Sequence, residues 1–239
     1  MHPSSDARSH RSKRRRLVPA LLLLACALPI AGCAEDSPAA NSGPVKVRAV
    51  TDPATSTKLA EELGATATTL TDAGCVFGKY DEEEANHVDS DDQLKWKSFP
   101  PTSGNHFEAW APWGEYEAEV PDGNTVHNLE HGGVVVWFGT KVQDETRSAV
   151  ADLLKDGDKW LLAPRRDIEG LFSGAWGVGL SCPPEALTEL GPDGTADVLD
   201  TWYDTVNSTG SEAEKDLPAY PGPMKEPTPK RDISVEAPF

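Results

Sequence analysis

Of the six histidines in this chain, four fall between positions 87 and 131, and imidazole is the side chain most often found on a metal. The densest piece is His127-Asn128-Leu129-Glu130-His131-Gly132-Gly133. Positions i and i+4 return to one face in a helix and in a strand alike, so His127 and His131 converge under either reading. Two imidazoles on one face supply half of a tetrahedral site. His106, which ends the string Pro100-Pro101-Thr102-Ser103-Gly104-Asn105-His106, and His87 are the candidates for the rest. Copper or zinc is the ion these donors suit. Only Met1 and Met224 offer a thioether, so a soft Cu(I) site has no support, whereas imidazoles favour Cu(II) or Zn(II).

The string His127-x-x-Glu130-His131 also spells an inverted zinc-protease motif, in which the two histidines bind zinc and the glutamate activates water. That motif sits on a long helix, and here Gly132-Gly133 and a strand follow at once, so the helical context is missing. Three classes of function stay open. The first is a metal-binding protein using His127, His131, His106 and His87. The second is a metal-dependent hydrolase with Glu130 as general base. The third is a metal-free module that binds another protein through Trp110, Trp113 and Tyr116, although buried core rings are the plainer account of those aromatics. For the histidines the plain account is hydrogen bonding within a tight loop.

The elements that must position these groups follow from pattern. Val134-Val135-Val136-Trp137-Phe138 is a continuous β-branched and aromatic run, which predicts a buried strand directly after the histidine string. Further strands are expected at Trp160 to Ala163 and through Ala175-Trp176-Gly177-Val178. Amphipathic spacing predicts helices over Pro53–Leu63, about 143–155, 184–190 and 196–206. The stretch from Phe99 to Val120 is dense in Pro, Gly and aromatics with no sustained period, and reads as an ordered loop. The acidic runs Asp81–Glu84 and Asp89–Asp92 read as an exposed loop around His87. This order of elements implies a single α+β domain, a small mixed or antiparallel sheet with flanking helices.

Pro-Pro-Thr-Ser-Gly-x-His at 100–106, His-Asn-Leu-Glu-His-Gly-Gly at 127–133, Ala163-Pro164-Arg165 and Ala175-Trp176-Gly177 together resemble the proteins grouped as domain of unknown function 3105. The resemblance spans about residues 75–205. It implies an exported protein of actinobacterial or related origin, often membrane-tethered, and it brings no activity and no catalytic residues with it.

The first 33 residues have the build of a secretory signal. Five basic residues between Arg11 and Arg16 precede an apolar stretch from Leu17 to Ile30, shorter than the roughly 20 residues of a membrane-spanning helix. It ends in Ile30-Ala31-Gly32-Cys33, which resembles a lipobox, so Cys33 is the expected site of lipidation. Residues 34–52 read as a flexible tether, 53–217 as the globular domain and 218–239 as a Pro-rich extended tail. The expected address is the extracytoplasmic face of the cell membrane, with the lipid as the membrane contact and the protein partner unknown.

The chain holds 22 basic and 39 acidic residues, and residues 1–33 contain 6 and 1 of these, which leaves 16 and 38 and a formal charge of −22. So acidic a surface repels nucleic acid and anionic headgroups, which argues against both as partners of the soluble part. Beyond Cys26 and Cys33 only Cys75 and Cys182 remain. Outside the cytoplasm two such cysteines imply one disulfide, with metal ligation by a thiolate as the rival.

Overall fold

The computed structural model describes residues 53–207 and 224–234, all within one compact unit, Asn41–Phe239. The signal, the tether, Cys33 and the remaining tail residues lie outside the described residues. Helices α1 (Pro53–Leu63) and α2 (Ala65–Asp72) lead into strand β1 (Val76–Lys79). Two short strands, β2 (His87–Val88) and β3 (His106–Phe107), pair with each other in parallel, and β4 (Gly114–Glu115) follows. Then come α3 (Asp122–Glu130), β5 (Val134–Phe138), α4 (Asp144–Ala151) and β6 (Trp160–Pro164). The hairpin β7 (Leu171–Ala175) and β8 (Val178–Cys182), the helical run α5 (Pro184–Val206) and β9 (Arg231–Asp232) complete the chain.

Seven strands form one open sheet in the order β1-β8-β7-β5-β6-β4-β9. The β5–β6 and β6–β4 pairs are parallel and the other four are antiparallel. The domain is therefore α+β, with a mostly antiparallel sheet. Alternation along β5 sends its side chains to both faces. Val134, Val136 and Phe138 join a core with Leu63 of α1, Leu70 of α2, Val150 of α4 and Trp202 of α5. Val135 and Trp137 join a second core with Val126 and Leu129 of α3 and Tyr116 of the aromatic loop. Burial on both faces is why this strand reads as an unbroken apolar run instead of an alternating one.

Three expectations need adjustment. Trp176 and Gly177 are the turn between β7 and β8, not the middle of a strand, because Gly177 takes a φ of 68° that ends the extended run. The helix expected over 143–155 stops at Ala151. The two C-terminal helices are separated at Gly191 (φ 68°, ψ 175°) as expected, but the second starts at Pro192, ahead of the expected Ala196. Part of the tail is also engaged: Arg231–Asp232 pairs with β4, and Ile233 is 1% exposed in the first core. Cys75 and Cys182 are joined by a disulfide across 107 positions, which removes both thiols from the list of metal donors. Among the described residues no helix is long and apolar enough to cross a membrane.

Candidate metal centre

Helix α3 carries the chemistry, and the expectation that His127 and His131 lack a helical context is corrected here. The segment is helical from Asp122 to Glu130. The pattern concealed it because every residue from Gly123 to Glu130 is buried, so no polar face alternates with an apolar one. Gly132-Gly133 marks where the helix stops, with Gly132 at a φ of 77° just past the cap residue His131. A side chain at Gly133 would strike the Trp113 ring, since a Cβ there would lie 2.2 Å from it.

Nine residues are too few to hold a helix by propensity alone. The polar side chains of α3 fasten it instead to the extended loop beside it. Asn124 Nδ2 donates to Ala109 O at 2.6 Å, and His127 Nδ1 lies 2.8 Å from Phe107 O. Asn128 completes Ala111, accepting from its N–H at 2.9 Å and donating to its carbonyl at 2.7 Å. Asp122, in the first turn, is forked by Arg165 at 2.5 and 2.9 Å. Sequence reasoning passed over Asn124, Asn128 and Arg165. The i, i+4 spacing of the two asparagines around His127 was the available signal.

The structure brings the four predicted histidines together. His87 and His106 are register partners in the β2–β3 pair, with ring centroids 4.9 Å apart. His127 stacks between His87 at 5.1 Å and His131 at 4.8 Å, and meets His106 edge-on at 5.1 Å. One ring nitrogen from each of His87, His106 and His127 lies within 4.8 Å of the other two, so these three can hold a metal ion. His131 stands beside this group, its Nε2 within hydrogen-bond distance of Nε2 of His127 at 2.9 Å. His106, His127, His131 and Glu130 are buried, whereas His87 is exposed.

Tautomers follow from the partners. A carbonyl can only accept, so Nδ1 of His106, 2.8 Å from Gly104 O, and Nδ1 of His127 must each carry a proton. Their Nε2 atoms are then lone pairs when the rings are neutral. A ligand histidine fixed through its other nitrogen by a backbone carbonyl is the usual outer support of a metal site. Nε2 of His106 stands 3.0 Å from Glu130 Oε2, in ion-pair range but without a regular hydrogen bond.

Burial, joined by the neighbouring imidazoles, pushes the pKa of His127 down to about 4, against the opposing bond to Phe107. It is a neutral donor throughout the physiological range. Burial alone would raise Glu130, but the nearness of His106, with His127 and His131 behind it, outweighs this and holds its carboxyl below the ordinary range.

An α+β sheet domain with a buried histidine cluster over one face is the class this geometry defines. Residues 87–184 match the family model described as "Protein of unknown function (DUF3105)". The matched span begins at His87 and includes the whole cluster. No curated protein and no solved structure matches.

Proposed function

We propose that this chain is a lipid-anchored protein of the bacterial cell envelope whose domain binds a copper or zinc ion through His87, His106 and His127. One observation carries the metal reading: two buried imidazoles have their Nδ1 protons committed to backbone carbonyls, so that both free Nε2 lone pairs are left within a cluster of three. Nε2 of His127 has a donor within reach in His131 Nε2 at 2.9 Å, but Nε2 of His106 has no hydrogen-bond partner among the described residues and faces the carboxylate of Glu130. Burying such a lone pair without a donor or a cation is costly. Residues 1–33 supply the argument for the envelope, and the disulfide agrees with an oxidising compartment.

The hydrolase reading gains from Glu130 lying on a helix beside the histidines. It loses more, because a hydrolytic centre keeps an open position for water and substrate, and of these groups only His87 is exposed. The aromatic-platform reading is weakened by Tyr116, which is buried with its hydroxyl donating to Pro112 O at 2.7 Å. The test is metal content and Cu(II) and Zn(II) titration of the chain purified without a polyhistidine tag, beside His106→Ala and His127→Ala. Stoichiometric binding that both variants lose supports the reading. Equal binding by all three proteins, or none by any, refutes it.

A further inference from the structure

The three histidines whose nitrogens converge are held unequally. His106 and His127 are buried, and each ring is fixed through Nδ1 by a backbone carbonyl at 2.8 Å, Gly104 O for the first and Phe107 O for the second. His87 is exposed, and among the described residues neither of its ring nitrogens has a hydrogen-bond partner. Ring contact alone orients it, stacked on His127 at 5.1 Å and edge-on to His106 at 4.9 Å. The strand that carries it, β2, is two residues long and pairs with β3 alone. A ligand ring fixed through its second nitrogen cannot turn off an ion without breaking that bond. His87 can.

The segment around His87 also carries one sign of charge. Asp81–Glu84, Asp89, Asp91 and Asp92 flank it, and residues 79–97 hold these seven acidic residues against the three basic ones Lys79, Lys95 and Lys97, a formal −4. All seven carboxylates except that of Glu83 belong to exposed residues. A solvated loop is the ordinary account of such a run. What sets this one apart is that the exposed ligand of a histidine cluster lies inside it.

Resting on the metal reading above, we propose that the site transfers its ion instead of storing it, with His87 as the ligand that is exchanged and a basic protein as the donor or acceptor. In the transfer the metal–nitrogen bond of His87 breaks as a donor atom of the partner forms its own bond to the ion. His106 and His127 hold the ion meanwhile, and its oxidation state does not change. The acidic run attracts the partner's positive charge to the one ligand that an incoming group can reach.

The test follows the loss of metal in time. The full chain, without a polyhistidine tag and loaded with one equivalent of Zn(II) or Cu(II), is mixed with an excess of acceptor. One acceptor is the anion nitrilotriacetate, and the other is a peptide of several lysines and two histidines. With both, the extraction rate should rise with acceptor concentration, and added salt should slow the peptide and speed the anion. The triple change Glu84→Gln, Asp89→Asn and Asp91→Asn removes no side-chain hydrogen bond printed by the fold, since none of the three makes one among the described residues. It should slow extraction by the peptide roughly three- to tenfold at low salt. The same charge removed at Asp193, Asp197 and Asp200 of α5, which packs on the other core, should have a smaller effect. An extraction rate independent of acceptor concentration means that the ion leaves a closed site unaided, and overturns the transfer reading. Equal effects of the two triple changes overturn the docking of a basic partner over His87. Either result leaves the three-histidine site standing, whereas retention of neither ion at the start overturns that site as well.

Discussion

The carboxamide of Asn128 takes up both hydrogen-bonding groups of one residue in the neighbouring loop, accepting from Ala111 N at 2.9 Å and donating to Ala111 O at 2.7 Å. Asn128 and Ala111 are both fully buried. An Asn128→Ala change therefore strands a donor and an acceptor with no water to replace the lost bonds. Each orphaned buried group costs about 1–3 kcal/mol, so a loss of about 2–5 kcal/mol is expected in urea denaturation. Asn128→Leu should be no better. Wild-type stability in either variant would show that this pairing does not hold α3.

Lipidation of Cys33 rests on the apolar run that ends in Ile30-Ala31-Gly32-Cys33. Metabolic labelling with an alkynyl fatty acid in an expressing bacterium should mark the wild type and leave Cys33→Ala unmarked. Equal labelling of the two would remove the anchor from the proposal.

The Cys75–Cys182 disulfide closes a loop of 107 positions. Chain entropy assigns such a loop a stabilisation of about 4–5 kcal/mol. Reduction, or a double change to serine, should lower the denaturation midpoint accordingly. It should leave Cu(II) and Zn(II) binding intact at temperatures where the fold survives, since neither sulfur is a donor. Loss of metal binding with the fold retained would contradict the assignment of the site to α3 and its neighbours.

How much of this was legible depends on which physical signal each element carries. Strand β5 and helix α1 announced themselves through apolar pattern, and Cys75–Cys182 through scarcity of alternatives. The histidines were found because i, i+4 spacing converges in any regular structure. Helix α3 was hidden for a reason that concerns function: it is buried all round, with Val126 and Leu129 in the second core while Asn124, His127 and Asn128 bond to loop backbone. Strands β2 and β3 are only two residues each, too short for a period to register. The break between β7 and β8 was missed because Trp176, buried at 4% exposure, has the look of a strand residue although it sits at the turn.

Arg165 anchors the opposite end of α3. Its side chain is 8% exposed, it forks Asp122, bonds Asp167 at 2.7 Å and lies 4.4 Å over the Phe99 ring. Removing one partner of a buried pair costs about 3–5 kcal/mol, and Asp122 keeps partial access to solvent, so Arg165→Ala should cost about 2–4 kcal/mol. Faster hydrogen exchange in the first turn of α3 should accompany it. If the double change Arg165→Met with Asp122→Leu is as unstable as Arg165→Ala, the loss is not that of an uncompensated carboxylate.

Alkaline pH should unfold the domain through its tyrosines. Burial pushes the pKa of Tyr80 up to about 12 and raises that of Tyr116 further, with the nearby charge of Asp232 adding to the second. Tyr116 also keeps its proton engaged with Pro112 O. In the unfolded chain a tyrosine ionises near pH 10. Below that pH both phenols are protonated in either state, and their contribution is fully present. Above it the unfolded chain gives up protons that the folded chain retains, so stability falls by about 1.4 kcal/mol per pH unit for each residue until the folded pKa is reached. Absorbance at the phenolate band and far-ultraviolet circular dichroism, followed together from pH 9 upward, check this. The expected result is that the phenolate signal of these two residues rises only as the dichroism is lost, between about pH 10 and pH 12. Tyr80 and Tyr116 both belong to the second core, and ionisation of every tyrosine near pH 10 with the dichroism intact would mean that they are not buried there.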